Sequence, residues 1–222
     1  MHPIVAEDPY AEGVDRHVDT TTSRRQRRYA RRRSEILKAA AAVVADSGYH
    51  GTSLDLVAER LDMAKATLYY YFPSKDEVIL ACLATCAQFV TRRLDKIANA
   101  EGTASEKLRL LIMEQLTITT RDYPEMSRLF LYPLDWAPEL AARVREMQDE
   151  HSQRFRAVIE EGRGSGEFVV ENLSIALVCM HGAMNQVPRW LSHRQRGVPK
   201  HEELERVADT IMRIFNCQEA NR

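Results

Sequence analysis

The stretch from Lys65 to Lys75 holds the side chains best suited to chemistry, and that chemistry is noncovalent binding of a polyanion. On a helical wheel its apolar side consists of Leu68, Tyr71 and Phe72. Its opposite, polar side consists of Lys65, Ala66, Thr67, Tyr69 and Tyr70. Lysine and threonine can contact bases or phosphates, and tyrosine hydroxyls can donate to phosphate. The pattern predicts a helix that packs through one side and meets nucleic acid with the other.

The residues around this helix predict that it is the second helix of a helix-turn-helix. Thr52 is expected to cap the preceding helix, and Asp62 stands where the chain must turn. Pro73 ends the second helix and Ser74 caps the next, which places Lys75 in a first turn whose free N–H groups favour an anion. The buried stripe of the first helix is predicted to be Leu54, Val57, Ala58 and Leu61.

These residues resemble the recognition segment of the TetR family of bacterial repressors. The segment AERLDMAKATLYYYFPSKDEV contains the family core x-T-L-Y-x-x-F-x-S-K, and the resemblance covers about Ser34–Leu83. Asp62 and Ala64 stand where the family commonly has Gly and Ser. The resemblance implies an all-α homodimer, in which an N-terminal helix-turn-helix domain binds double-stranded operator DNA and a larger C-terminal helical domain binds ligand and dimerises. The alternative is an ordinary surface helical hairpin with half-buried tyrosines.

The distribution of charge supports a local anion-binding surface. Residues 1–19 hold five acids and one Arg, whereas residues 20–80 hold eleven Lys and Arg against seven acids. Seven arginines between Arg24 and Arg33 predict an arm and helix start that grip phosphates, the alternative being a solvated helix face. We expect a disordered tail over 1–23, a DNA-binding domain over 24–75 and a ligand-binding domain over 76–222. The predicted DNA contacts are Arg31, Arg32, Thr52, Ser53, Lys65, Ala66, Thr67, Tyr69, Tyr70 and Lys75.

Several other classes of protein find no support in the sequence. The N-terminus is acidic and has no apolar region, so it does not read as a secretion signal. The sequence also has no run of about 18 apolar residues, and the two observations together predict a cytoplasmic protein with no membrane partner. The seven histidines and four cysteines form no metal-ligand pattern, so we expect no metal and no cofactor. No phosphate-binding glycine loop, nucleophile elbow or spaced triad is present, so we expect no catalytic residues and no enzyme.

The last two helical stretches predict a dimer interface. The stretch from Leu173 to Leu191 is apolar nearly all round, which is typical of a helix buried on two sides. A symmetric four-helix interface with the final amphipathic helix would use this surplus, whereas the alternative is a monomer that wraps the helix in its own interior. The expected interface residues are Ala176, Ala183, Val187, Leu204, Val207, Ile211 and Ile214.

The helices between the predicted DNA-binding domain and the predicted dimer interface are rich in Met and aromatic residues. Such side chains line adaptable apolar pockets but also fill ordinary cores. The segment EEGRGSGEF and the helix end Pro188–Leu191 resemble TetR regulators that sense acyl-CoA or steroid-derived CoA thioesters. That resemblance implies a small hydrophobic effector such as an acyl-CoA, the alternatives being a drug or aromatic compound in a multidrug-type pocket and a non-specific DNA-binding protein. The predicted ligand contacts are Met113, Phe130, Trp136, Phe155, Met180, Met184, Arg189 and Trp190.

Overall fold

The computed structural model describes residues 9–10, 24–130, 135–193 and 198–215. Within these ranges no strand is formed, so the predicted all-α fold is confirmed. A π-helical turn, Ile118–Asp122, continues the fifth helix. The helices α1 to α9 cover Arg24–Gly51, Leu54–Arg60, Lys65–Tyr71, Lys75–Ala98, Ala104–Thr117, Pro124–Phe130, Pro138–Ser165, Leu173–His193 and His201–Met212.

The turn between α1 and α2 differs from the prediction in its capping residue. Gly48 breaks the direction of α1 with φ 69° and ψ 179°, a conformation that disfavours a side chain. The N-cap of α2 is Ser53, whose Oγ accepts from the N–H of Leu56 at 3.2 Å. Thr52 was expected in that role, but its hydroxyl instead donates to the carbonyl of Gly48 at 2.7 Å and so closes the preceding turn.

Helix α3 is bounded as the sequence predicts. Asp62 adopts φ 47° in the turn before it, a conformation that Asp tolerates better than most residues. Ala64 is the N-cap and contributes no side-chain hydrogen bond. After Phe72 and Pro73 the chain turns, and Ser74 Oγ accepts from the N–H of Glu77 at 3.2 Å to begin α4.

The chain forms two compact units. The first comprises residues 1–89 together with 128–145, and the second comprises 90–127 together with 146–222. The division falls inside α4, between Phe89 and Val90, and the functional boundary predicted after residue 75 stays a prediction. Pro9 and Tyr10, within the predicted disordered tail, are buried in the first unit, where the Tyr10 hydroxyl lies 3.0 Å from Cys86 Sγ. The remainder of 1–23 lies outside the described residues.

The second unit has a continuous apolar core. Most of it is contributed by α5, α7, α8 and α9, with Leu94 of α4 and the residues Phe168 and Phe215 outside the helices; it includes Leu108, Ile112, Phe155, Met180 and Leu204. Helix α5 begins with a capping box in which Thr103 and Glu106 bond reciprocally. Gly162 allows a close approach to Phe168, because a Cβ at this glycine would lie 2.2 Å from the phenyl ring. Among the described residues, no helix is long and apolar enough to cross a membrane.

Candidate nucleic-acid interface and effector site

Helix α3 presents the polar surface that its sequence predicts. Tyr69 and Tyr70 are exposed to 50% and 67%, and Lys65, Ala66 and Thr67 are exposed beside them. Leu68 and Phe72, on the other side, are buried. This split leaves the exposed side free to approach a major groove while the buried side fixes the helix to its unit.

An aromatic stack that no sequence pattern predicts supports the exposed tyrosines. The ring of Tyr29, in α1, stacks on Tyr71 with centroids 4.8 Å apart and meets Tyr70 edge to face at 6.3 Å. The guanidinium of Arg33 lies 5.1 Å from the centre of the Phe72 ring. Tyr29 is the one aromatic residue between Arg24 and Arg33, and this isolated aromatic was the sign in the sequence that it belongs to the recognition surface.

The two predicted lysine contacts lie in different surroundings. Lys65 is exposed, and its ammonium donates to Asp55 Oδ2 at 2.6 Å. That hydrogen bond raises the pKa of Lys65, so the side chain remains a cation. Lys75 is half-buried: its ammonium donates to the carbonyl of Tyr49 at 3.1 Å and lies 4.0 Å from the centre of the Tyr49 ring. Lys65 is therefore the better placed of the two to reach a phosphate.

The arginine-rich segment is helical from Arg24 onward, and most of its side chains are exposed. Arg31 and Arg32 both donate to Glu35, at 3.2 and 2.7 Å, and the hydrogen bond from Arg32 is the main reason that the pKa of Glu35 is lowered. Thr52 is buried and Ser53 is half-buried, and both side chains make the hydrogen bonds described above. Both hydroxyls stabilise the entry to α2, and their contact with DNA stays a prediction.

The predicted effector contacts do not form one group. Those in the core of the second unit are Met113, Phe155, Met180 and Met184, all buried. Phe130 and Trp136 belong to the first unit, where Trp136 meets the Tyr49 ring edge to face at 5.8 Å. Arg189 and Trp190 are exposed near the end of α8.

A polar group inside the second unit was not predicted as a site. We call it the imidazole cluster, and it consists of Gln115, His151, Ser152 and His181. Nε2 of His151 lies 3.0 Å from Gln115 Oε1, and Nε2 of His181 lies 3.1 Å from Ser152 Oγ. The imidazole rings are 5.8 Å apart, and each lies 5.2 Å from the ring of Phe155. Its members are far apart in sequence, so no spacing pattern could reveal them.

Burial determines the charge of both imidazoles. It lowers the pKa of His151 to about 3, with further contributions from His181 and Arg154. It lowers the pKa of His181 to about 4. Both rings are therefore neutral near pH 7 and can act as hydrogen-bond donor and acceptor.

The predicted dimer residues lie mostly inside their own chain. Ala176, Val187, Leu204 and Ile211 are buried in the core of the second unit, because α8 and α9 pack there against the rest of that unit. Half-buried positions at the edge of this core are held by Ala183, Val207 and Ile214. The exposed apolar residues of α8 are others, chiefly Ile175, Val178 and Cys179.

Two family models match the chain. The model of bacterial regulatory proteins of the tetR family matches residues 36–82, and that of the tetracyclin repressor-like C-terminal domain matches residues 101–215. The chain therefore belongs to the TetR family, and its helix-turn-helix is the DNA-binding element of that family.

Relatives along most of the chain are transcriptional regulators. The fatty acid metabolism regulator protein of Bacillus subtilis is 25% identical over 69% of this chain and 80% of its own length. The transcriptional repressor KstR of Mycolicibacterium smegmatis is 26% identical over 74% of this chain and 78% of its own length. The structure of FadR from Bacillus subtilis in complex with stearoyl-CoA has the same fold, with TM-score 0.69 and 21% identity over 82% of this chain and 97% of that one. The protein is thus a TetR-family transcriptional repressor rather than an enzyme.

Proposed function

We propose that this repressor binds a palindromic operator as a homodimer and is released by a small hydrophobic effector. The observation that carries the DNA-binding part is the exposed polar side of α3 held in place by buried Leu68 and Phe72. Within it, Lys65 is an exposed cation and the side chains of Tyr69 and Tyr70 are exposed, which suits phosphate contacts beside a major groove.

The best evidence for a homodimer is the exposed apolar side of α8. Ile175 and Val178 are exposed to 61% and 73%, and Cys179 and Gly182 follow them on the same side of the helix and are exposed as well. An apolar strip that includes a glycine allows two copies of the helix to approach closely around a two-fold axis. We therefore assign the interface to these residues, with the half-buried Ala183, Val207 and Ile214 at its margin, because the remaining predicted residues already serve the chain's own core.

The effector is assigned to the second unit because its core combines Met113, Met180 and Met184 with Phe155, side chains that can adapt to a hydrocarbon. The relatives that regulate fatty acid metabolism, including the one solved with stearoyl-CoA, favour an acyl-CoA over a drug-like aromatic compound. The exposed Arg189 near the end of α8 is a cation of the kind that binds a CoA phosphate.

We propose release by a shift between two dimer geometries. A two-fold dimer places its recognition helices in successive major grooves about 34–36 Å apart. An effector that binds more tightly to a dimer whose recognition helices are spaced differently lowers the operator affinity. The decrease is at most the ratio of the effector's affinities for the two dimer geometries.

The experiment begins with selection of operator sequences from random DNA by the purified protein, followed by competition against random DNA. We expect an inverted repeat that competes at least a thousandfold better than random sequence, as specific binding does. Stearoyl-CoA should then release the operator complex in an electrophoretic mobility assay. Equal competition by random DNA would support a non-specific DNA-binding protein instead, and saturation with stearoyl-CoA without release would contradict its role as effector.

A further inference from the structure

The imidazole cluster lies in surroundings that otherwise exclude polar groups. Phe155 contacts both imidazoles, and Met180 and Met184 flank His181 along α8; all three are buried. A buried polar group costs free energy unless its hydrogen bonds are satisfied, so an apolar core does not gain stability from two imidazoles, an amide and a hydroxyl. A recognition role explains their presence better than packing does.

The imidazole rings of His151 and His181 are mostly buried but remain partly accessible. Burial is strong enough to lower the pKa of both imidazoles, yet His151, Ser152 and His181 each keep some accessible surface. Within the described part of the chain, the hydrogen bonds of both rings use Nε2, to Gln115 and to Ser152. No fully buried side-chain nitrogen of the described residues lacks a hydrogen-bond partner, so Nδ1 of each ring keeps accessible surface and is the atom that a bound molecule can reach.

The charges around the cluster do not favour an anion. The guanidinium of Arg154 is paired with Asp95 at 2.7 Å. Glu114, which adjoins Gln115 in α5, is paired with the buried Arg93, and Asp122 lies 3.5 Å from the same guanidinium. These five groups carry two positive and three negative charges, so a carboxylate entering the cluster would meet no unpaired cation among them.

We propose that the imidazole cluster binds an uncharged oxygen of the effector, a carbonyl or hydroxyl, through Nδ1 of His151 and His181. A neutral imidazole can offer either N–H or a lone pair at Nδ1, which suits both kinds of oxygen. The hydrocarbon of the effector lies against the apolar side chains of the same unit. This inference rests on the proposed function, since it assumes that the second unit takes an effector.

Two substitutions at each histidine separate recognition from packing. A glutamine amide reaches the place of Nε2, so His151→Gln and His181→Gln keep the bonds to Gln115 and Ser152 and lose Nδ1. An asparagine amide reaches the place of Nδ1, so His151→Asn and His181→Asn keep the atom that meets the effector and lose the internal bond. All four are neutral and smaller than histidine, so each pair is matched in charge.

The probes are dodecanoyl-CoA, 1-dodecanol and dodecanoate, titrated by calorimetry into the full-length protein. The thioester and the alcohol distinguish a carbonyl from a hydroxyl, and dodecanoate supplies the same chain with a carboxylate. We expect each Gln variant to bind the thioester or the alcohol about tenfold more weakly than wild type, as loss of one hydrogen bond does, and the Asn variants to stay within about threefold. Thermal unfolding of every variant shows whether it is folded.

The outcomes separate this inference from the proposed function. Gln and Asn variants that both bind as wild type does would overturn the inference alone, as would tighter binding of dodecanoate than of the other two probes. Protein that binds its operator but none of the three probes would overturn both the effector assignment and the inference. Failure to select any operator would overturn the DNA-binding proposal, while the comparison of Gln and Asn variants would still decide the inference.

Discussion

Acidification should destabilise the second unit through His151 and His181. Burial lowers the pKa of the two imidazoles to about 3 and about 4, whereas in the unfolded chain both titrate near their usual value of about 6.5. The unfolded state therefore binds protons first as the pH falls. The stability that these groups contribute is present above about pH 6.5 and is lost as the pH falls through that value toward the folded pKa values.

The size of the effect follows from the same shifts. Between pH 7 and pH 5 each histidine gives up about 2 kcal/mol of unfolding free energy, and the pair gives up about 4 kcal/mol. That is a large part of the roughly 5–15 kcal/mol by which domains are stable. His151→Gln combined with His181→Gln removes both titrating groups while keeping the hydrogen bonds made by Nε2.

Urea unfolding followed by tryptophan fluorescence can test this. Trp136 belongs to the first unit and Trp190 to the second, so a Trp136→Phe background lets Trp190 report on the second unit alone. Measurements at a fixed protomer concentration should show a difference between pH 7 and pH 5 that is about 4 kcal/mol smaller in the double variant. His201→Gln removes an exposed imidazole from α9 and is the matched control. A double variant that loses as much stability as wild type would refute the assigned protonation states.

Three further predictions concern the DNA-binding surface and the dimer. Lys65→Ala should weaken operator binding and reduce the slope of log affinity against log salt by about 0.9, whereas Lys96→Ala, exposed on α4, should change neither. Tyr29→Ala should weaken operator binding about tenfold through loss of the stack on α3, with the salt slope unchanged, as filter binding at several salt concentrations would show. Val178→Glu should yield monomers in sedimentation, and dimers of this variant would contradict the interface; Val198→Glu, at a position exposed to 66%, should remain dimeric.

The helix-turn-helix was predictable because local patterns determine it. Alternation of buried and exposed positions at helical spacing assigned Leu68 and Phe72 to the inside and Tyr69 and Tyr70 to the surface, as the structure has them. Asp62 was correctly assigned to the turn from its tolerance of positive φ. The capping residue of α2 was not predictable with the same certainty, because Thr52 and Ser53 are adjacent and both suit an N-cap.

Residues whose roles depend on partners distant in the chain were not predictable. An apolar residue on α9 such as Leu204 suits a core and an interface equally well in the sequence, and only the packing of the second unit shows that its own chain buries it. The imidazole cluster joins residues from α5, α7 and α8 that no spacing connects. The position of Tyr29 over Tyr71 likewise depends on how α1 crosses α3.

The position of His181 on α8 connects the proposed effector site with the proposed dimer interface and leads to a prediction about acyl chain length. At 100° per residue His181 lies about 60° from exposed Val178 and about 60° from buried Met184, so it lies between the proposed interface and the core. A single hydrogen bond there is worth about tenfold, whereas moving a dimer from 1:99 to 99:1 requires about 10⁴-fold differential affinity. Burial of hydrocarbon must supply most of that difference, at about 0.8 kcal/mol or fourfold per methylene. Acyl-CoAs of 8, 10 and 12 carbons should therefore release the operator at concentrations that fall about sixteenfold at each step. Equal potency across the series would show that the acyl chain does not drive release.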